Sequence, residues 1–178
     1  MNTPLLEKEH SMLIPNDVLA KLDTRKPEDI TSFYIHHGDN SPTETLEECS
    51  AEEMANPEQG FLCIGYNAVI RYNGSKWVIE YARPLTSVPA AQQDENTTGY
   101  ALCVFGDYQD NQVPKEVLPL IQTVILNVKS KCKNLKYLQA HADAARLAND
   151  PSVATECCGI FLMAELPNLA KKTGLIRR

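Results

Sequence analysis

The chain has 178 residues, 43% of them hydrophobic and 22% charged, a balance that suits one globular domain and excludes wholesale disorder. A chain this long buries roughly 70% of its unfolded surface, so its core needs neither disulfides nor a structural metal. Seventeen basic against 23 acidic residues leave a net charge of −6, which argues against nucleic acid as a partner and against a polybasic membrane anchor.

Residues 1–30, punctuated by Pro4, Pro15 and Pro27, read as a lead-in, with a short amphipathic helix opening at an Asn16 N-cap. No basic n-region, long apolar run or small-residue cleavage site marks the start, so synthesis in the cytoplasm without a signal peptide is expected. The six cysteines, Cys49, Cys63, Cys103, Cys132, Cys157 and Cys158, then read mostly as reduced, buried small hydrophobes. The nearest approach to a membrane span, Val117 to Val128, is broken by Gln122, Thr123 and Asn127.

The aromatic and β-branched run Thr31 to His36 predicts a strand that ends before Gly38-Asp39-Asn40. An acidic stretch follows, in which Thr45 to Met54 predicts a helix. Cys63 to Tyr72 and Lys76 to Tyr81 flank Asn73-Gly74 and predict a β-hairpin closed by a type I′ turn. After a polar loop over 86–98, Tyr100 to Gly106 predicts a buried central strand. Val117, Leu118, Ile121, Val124, Ile125 and Val128 recur at helical spacing, with Pro119 in the first turn, and predict a helix over roughly 116–132. Leu135 to Ala140 predicts a strand leading to His141, and Ile160 to Leu169 a closing helix. Strands interleaved with helices give an α/β fold: a single domain with a central mixed β-sheet flanked by α-helices.

Of the four histidines, His36 and His37 end one strand and His141 follows another, with Cys157-Cys158 sixteen residues beyond His141. Two imidazoles and a thiolate are a suitable three-ligand zinc set with the fourth position left to water. Strand alternation lets only one of His36 and His37 face a given side. Taken one at a time these residues are more often packing than ligands, so the pattern must come from the whole chain.

From Phe33 onward that pattern resembles the zinc-dependent N-acetylmuramoyl-L-alanine amidases of the type 2 class, a superfamily that includes phage amidase lysozymes and animal peptidoglycan recognition proteins. It runs in order through Tyr34-Ile-His-His, Gly60-Phe, Ile64-Gly-Tyr-Asn-Ala-Val-Ile, the Asn73-Gly74 turn and Glu80-Tyr-Ala-Arg-Pro-Leu. It continues through Asn96-Thr-Thr-Gly-Tyr-Ala-Leu-Cys-Val-Phe-Gly-Asp-Tyr, the amphipathic helix, Ala140-His-Ala-Asp and Thr155-Glu-Cys-Cys-Gly. The resemblance implies an amidase domain over 31–172 with a tail at 173–178, and His36, His141 and Cys157 as ligands of Zn2+. It implies Tyr66 and Thr155 as catalytic residues, the first near the metal-bound water and the second on the scissile carbonyl oxygen. His37, Arg83 and Asn96 are then candidates for substrate contact, although a hairpin-end salt bridge for Arg83 and a turn cap for Asn96 read equally well.

The chain departs from the family pattern in four places. The segment Ala145 to Ser152 is an insertion that the sequence reads as looped out. Cys157-Cys158-Gly159 stands for Cys-Pro-Gly, so either thiol is a candidate, with the register favouring Cys157. Pro89-Ala90-Ala91-Gln92 replaces the Gly-Ala-His of many relatives, and Cys103 falls where some carry a glutamate. The function implied is zinc-dependent hydrolysis of the bond between N-acetylmuramic acid and L-alanine in peptidoglycan. The enzyme would be a monomer acting as an endolysin, as a delivered effector with a carrier or immunity protein as partner, or on cytosolic muropeptides. The alternative is a recognition module that binds peptidoglycan without cutting it.

Overall fold

The elements run α1 (Asn16–Leu19), β1 (Ser32–His37), α2 (Leu46–Ala55), β2 (Ala68–Tyr72), β3 (Trp77–Tyr81), β4 (Gly99–Val104), α3 (Val117–Lys131), β5 (Tyr137–Ala140), α4 (His141–Ala148) and α5 (Ile160–Thr173). They are taken from a computed structural model that describes residues 14–57, 60–148 and 154–178. The five strands form one mixed sheet in the order β3-β2-β4-β1-β5, with only the β2–β3 pair antiparallel. This is the expected single-domain α/β architecture.

Parallel strands covered on both faces must be apolar along their length, and every residue of β4 is buried. Phe33 and Ile35 of β1 and Leu102 and Val104 of β4 point to one face, where α3 and α5 cover them with Ile121, Val124, Ile125, Leu162 and Leu166. The Phe33 and Tyr100 rings stack there with centroids 5.2 Å apart. Cys103, Val69 and Phe105 point to the opposite face, against Leu46 and Cys49 of α2. Period-2 alternation therefore puts His36, between Ile35 and His37, on the α2 face with Cys103.

Local chemistry accounts for the elements. Thr45 caps α2 in a capping box with Glu48, each side chain accepting the other's backbone N–H. Helix α3 buries Val117, Ile121, Val124, Ile125 and Val128, the positions its periodicity marks, with Pro119 third in the helix.

Three expectations need correction. Asn16 is not an N-cap: Pro15 holds that place, and Asn16 is already helical. The β2–β3 connection is not a type I′ turn. Tyr72 pairs with Trp77, and Asn73 Oδ1 accepts the N–H groups of Ser75 and Lys76 at 3.1 Å each, so the side chain organises a longer loop with only Gly74 at positive φ. The segment beginning at Ala145 is not looped out at its start, because α4 continues to Ala148; the remainder of it, through Ser152, lies outside the described residues.

Both flanks of the sheet are tied to it. Arg25 is 6% exposed, and its guanidinium donates to the carbonyl oxygens of Asn96 (2.7 Å), Thr97 (3.1 Å) and Gly99 (2.5 Å). At the β5 edge Ile176 N–H donates to Lys136 O at 2.8 Å, and the Arg178 guanidinium lies 3.7 Å from the Tyr137 ring centroid. Replacing Arg25 leaves the buried Gly99 carbonyl and the part-buried Asn96 and Thr97 contacts without their donor. Arg25→Ala is expected to lower unfolding free energy by about 2–4 kcal/mol in urea titration. A loss under about 0.5 kcal/mol would mean that the lead-in is not part of the cooperative unit.

Candidate metal centre

Strand β1 lies between β4 and β5 and runs parallel to both, with Ile35 opposite Ala140 and His36 opposite Cys103. The next residues along β1 and β5 are His36 and His141, whose ring centroids are 4.6 Å apart. His141 is also the first residue of α4. Asp143 secures that strand-to-helix junction: its carboxylate accepts Ala140 N–H at 2.7 Å and pairs with Arg177 from the C-terminal segment.

The third donor arrives on the loop before α5. Cys157 Sγ accepts the His37 backbone N–H at 3.3 Å, and Cys157 O accepts Ala142 N–H at 2.6 Å, so the loop is pinned to the ends of both strands. Thr155 Oγ1 accepts Cys157 N–H at 3.2 Å. Gly159, at φ 80°, passes so close to Tyr108 that a Cβ would meet its carbonyl carbon at 2.4 Å, which accounts for glycine there.

One nitrogen of each histidine and the Cys157 sulfur all lie within 4.8 Å of one another. Tetrahedral zinc with Zn–N near ~2.0 Å and Zn–S near ~2.3 Å spaces such donors about 3.3–3.5 Å apart, so the set fits after closing by at most about 1.5 Å. Burial drives His36 well below the usual imidazole range and His141 down to about 4, leaving both neutral with a lone pair to give. Burial pushes the Cys157 thiol up to about 12, partly opposed by the His37 N–H. The pocket thus holds three neutral donors, and a cation binding there displaces the thiol proton.

Solved structures share this architecture. The N-acetylmuramoyl-L-alanine amidase LysC from Clostridium intestinale matches with a TM-score of 0.67 at 18% identity, over 86% of this chain and 91% of that one. Drosophila PGRP-LB matches with a TM-score of 0.65 at 18% identity, over 88% of each chain. The ectodomain complex of the peptidoglycan recognition proteins LCa and LCx with tracheal cytotoxin matches at 0.62 and 21% identity, over 85% and 86%. The chain has the type 2 amidase fold. No family model matches its sequence, and no curated protein sequence does.

Within the amidase fold, Tyr66 is next to the cluster, its ring centroid 5.3 Å from that of His36. Burial, with Cys103, Glu53 and Cys157 adding, holds its hydroxyl well above the usual phenol range, so it remains a proton donor at neutral pH. His37 points elsewhere: its Nδ1 accepts Tyr108 N–H at 3.1 Å, and only its backbone serves Cys157. Arg83 is 6% exposed and donates to the carbonyls of Ile64 (2.7 Å) and Val88 (2.8 Å); the hairpin's ion pair is Arg71–Glu80 instead. Asn96 is a turn cap, its Oδ1 accepting the N–H groups of Ala91 and Gln92 at 3.0 Å each. Arg83 and Asn96 both border a cleft of about 480 Å³ whose other walls include Lys21, Phe61 and Asp94.

Two residues to which the sequence assigned no role belong to this region. Gln92 Oε1 lies 3.0 Å from His36 Nε2. Glu53 of α2 accepts Gly65 N–H at 2.6 Å through Oε2, one residue before Tyr66, and burial raises its carboxyl to about 7. Neither is flagged by a local motif, because each acts across a distant turn of chain.

The Glu53 carboxyl titrates higher in the folded protein, at about 7, than the ~4.3 of an unfolded chain. Between those values the native state holds the extra proton, so its contribution to stability declines as pH rises from about 4.3 to 7. Glu53→Gln keeps an acceptor for Gly65 and removes the charge. It is expected to raise stability by about 1–2 kcal/mol at pH 8 and hardly at all at pH 4, by urea unfolding. An equal effect at both pH values would contradict the assignment.

Proposed function

We propose that this protein is a zinc-dependent hydrolase of the amide bond between N-acetylmuramic acid and L-alanine in peptidoglycan, a wall-lytic amidase of endolysin or delivered antibacterial type. The observation that carries the reading is the gathering of His36, His141 and Cys157 donor atoms within 4.8 Å at the ends of β1 and β5, with Tyr66 beside them. The fold shared with LysC, an N-acetylmuramoyl-L-alanine amidase, supports the reaction class. The likeness to peptidoglycan recognition proteins bound to tracheal cytotoxin supports a muropeptide as ligand. The catalytic unit in this proposal is residues 31–172, with 14–30 and 173–178 packed onto it.

His36 and His141, neutral at working pH, and Cys157, once its proton is displaced, would hold the ion and leave one tetrahedral position open. Zinc bound there supplies an ionisable water, with a pKa lowered from 15.7 to about 7, and a Lewis acid for the carbonyl oxygen. The chain's own residues do the rest. Tyr66, a neutral phenol, orients the nucleophile by hydrogen bonding and stands ready as a proton donor toward the leaving amine. Thr155 uses its oxygen to accept Cys157 N–H, which leaves its hydrogen to donate to the oxyanion that develops on the carbonyl. A donor of that kind is typically worth about 2.7–4 kcal/mol in the transition state. His37 holds Cys157 through its backbone, and Arg83 and Asn96 shape the cleft through the loops they tie together.

The test measures zinc per chain and peptide release from purified sacculi for wild type, His141→Ala, Cys157→Ser and Cys158→Ser. Wild type and Cys158→Ser are expected to bind about one zinc and to release stem peptides that begin with L-alanine. His141→Ala and Cys157→Ser are expected to lose the metal and the activity. Stoichiometric zinc with sacculi and soluble muropeptides left intact would defeat the enzyme reading in favour of a binding module. Products beginning elsewhere would refute the bond assignment.

A further inference from the structure

Gln92 is fully buried and sits 56 residues from His36 in sequence, yet its amide is aimed at the imidazole. The loop that carries it is built to present it. Asn96 Oδ1 caps the Ala91 and Gln92 N–H groups at 3.0 Å each, and Ala90 N–H donates to Gly65 O at 2.8 Å. Asn96 O in turn accepts from the Arg25 guanidinium at 2.7 Å. Room for the side chain comes from β4. A Cβ at Gly99 would lie 2.7 Å from Gln92 Nε2, from Glu95 O and from Tyr34 Cδ2, so any larger residue there would expel the amide.

Gln92 presents its oxygen to the imidazole: Oε1 lies 3.0 Å from His36 Nε2. An amide oxygen only accepts, so the imidazole nitrogen facing it must carry the hydrogen. With Nε2 protonated, the lone pair of neutral His36 is on Nδ1.

We propose that Gln92 is the positioning residue for the metal centre: it fixes His36 as the Nε2–H tautomer and thereby makes Nδ1 the metal donor. The proposal rests on the zinc reading above and adds to it which nitrogen binds and what selects it. Buried Gln92 Nε2 has no hydrogen-bond partner among the described residues. Leaving such a group unpaired is costly, which is consistent with placement for the site and not for stability. Partners of this type typically change metal affinity by about 10–100-fold when removed.

Two measurements on the full chain test it. The first is the tautomer of His36 in metal-free wild type, read from long-range 1H–15N correlation of the imidazole nitrogens. A protonated Nε2 with an unprotonated Nδ1 is expected, and a protonated Nδ1 overturns the proposal whether or not zinc binds. The second is zinc affinity by chelator competition for wild type, Gln92→Ala and Gln92→Glu, with melting by circular dichroism as the folding control. Gln92→Ala is expected to weaken zinc binding by about 10–100-fold, and Gln92→Glu, which still accepts from Nε2–H, to stay within about threefold of wild type. Wild-type affinity in a folded Gln92→Ala variant overturns the proposal; if that variant does not fold, the tautomer decides. Wild type that binds no zinc would sink the hydrolase reading, and the tautomer would still decide the role of Gln92.

Discussion

The parallel pairing of β1 with its two neighbours is the constraint from which the site follows. Because Ile35 stands opposite Ala140, the residues that come next, His36 and His141, emerge at one level, 4.6 Å apart between ring centroids. Crossover connections put both strand ends on the same edge of the sheet, where open α/β sheets place their ligands. A slip of one residue in β1 would exchange His36 for His37 on the α2 face and bury the wrong imidazole. The apolar side chains Phe33 and Ile35, packed under α3 and α5, make that slip costly. The Cys157 loop then depends on the same register, since it is hydrogen-bonded to His37 at one strand end and to Ala142 at the other.

Burial does the electrostatic work. Desolvation keeps His36, His141, Cys157, Tyr66 and Cys103 in their neutral forms, each for the same reason. A pocket of neutral soft and borderline donors is costly to leave dry and gains most from a divalent cation, which converts that cost into binding free energy. The protein invests elsewhere to keep the pocket in shape. Arg25, Asn96 and Gln92 form one line of hydrogen bonds from the lead-in to His36, and Arg177 and Asp143 brace His141 from the C-terminal side. Both flanking segments therefore bear on the candidate metal centre.

What the sequence disclosed and what it hid divide by range. The β-branched and aromatic strands, the helix predicted from Thr45 and the periodic face of α3 are local, and they formed as read. The hairpin was legible but its turn was not, because Asn73 uses its side chain to build a longer loop in place of the positive φ a type I′ turn needs. His36, His141 and Cys157 were nominated by family resemblance, and the structure brings their donor atoms together. Glu53 and Arg25 had no signal, and Gln92 stood out only as part of a departure from the family pattern: each meets its partner across a tertiary contact, and a glutamine in a polar loop looks the same whether or not an imidazole is behind it. Arg83 and Asn96 looked like groove residues because charge and amide groups invite that reading, yet both spend their hydrogen bonds on backbone.

The central claim is that one thiolate and two imidazoles of this chain bind a single zinc with a position to spare. Zinc K-edge X-ray absorption of the metal-loaded wild type tests it most directly. One sulfur at about 2.3 Å and two imidazole nitrogens at about 2.0 Å are expected, with a further light scatterer completing four-coordination. A spectrum without sulfur, or with two sulfurs, would contradict it.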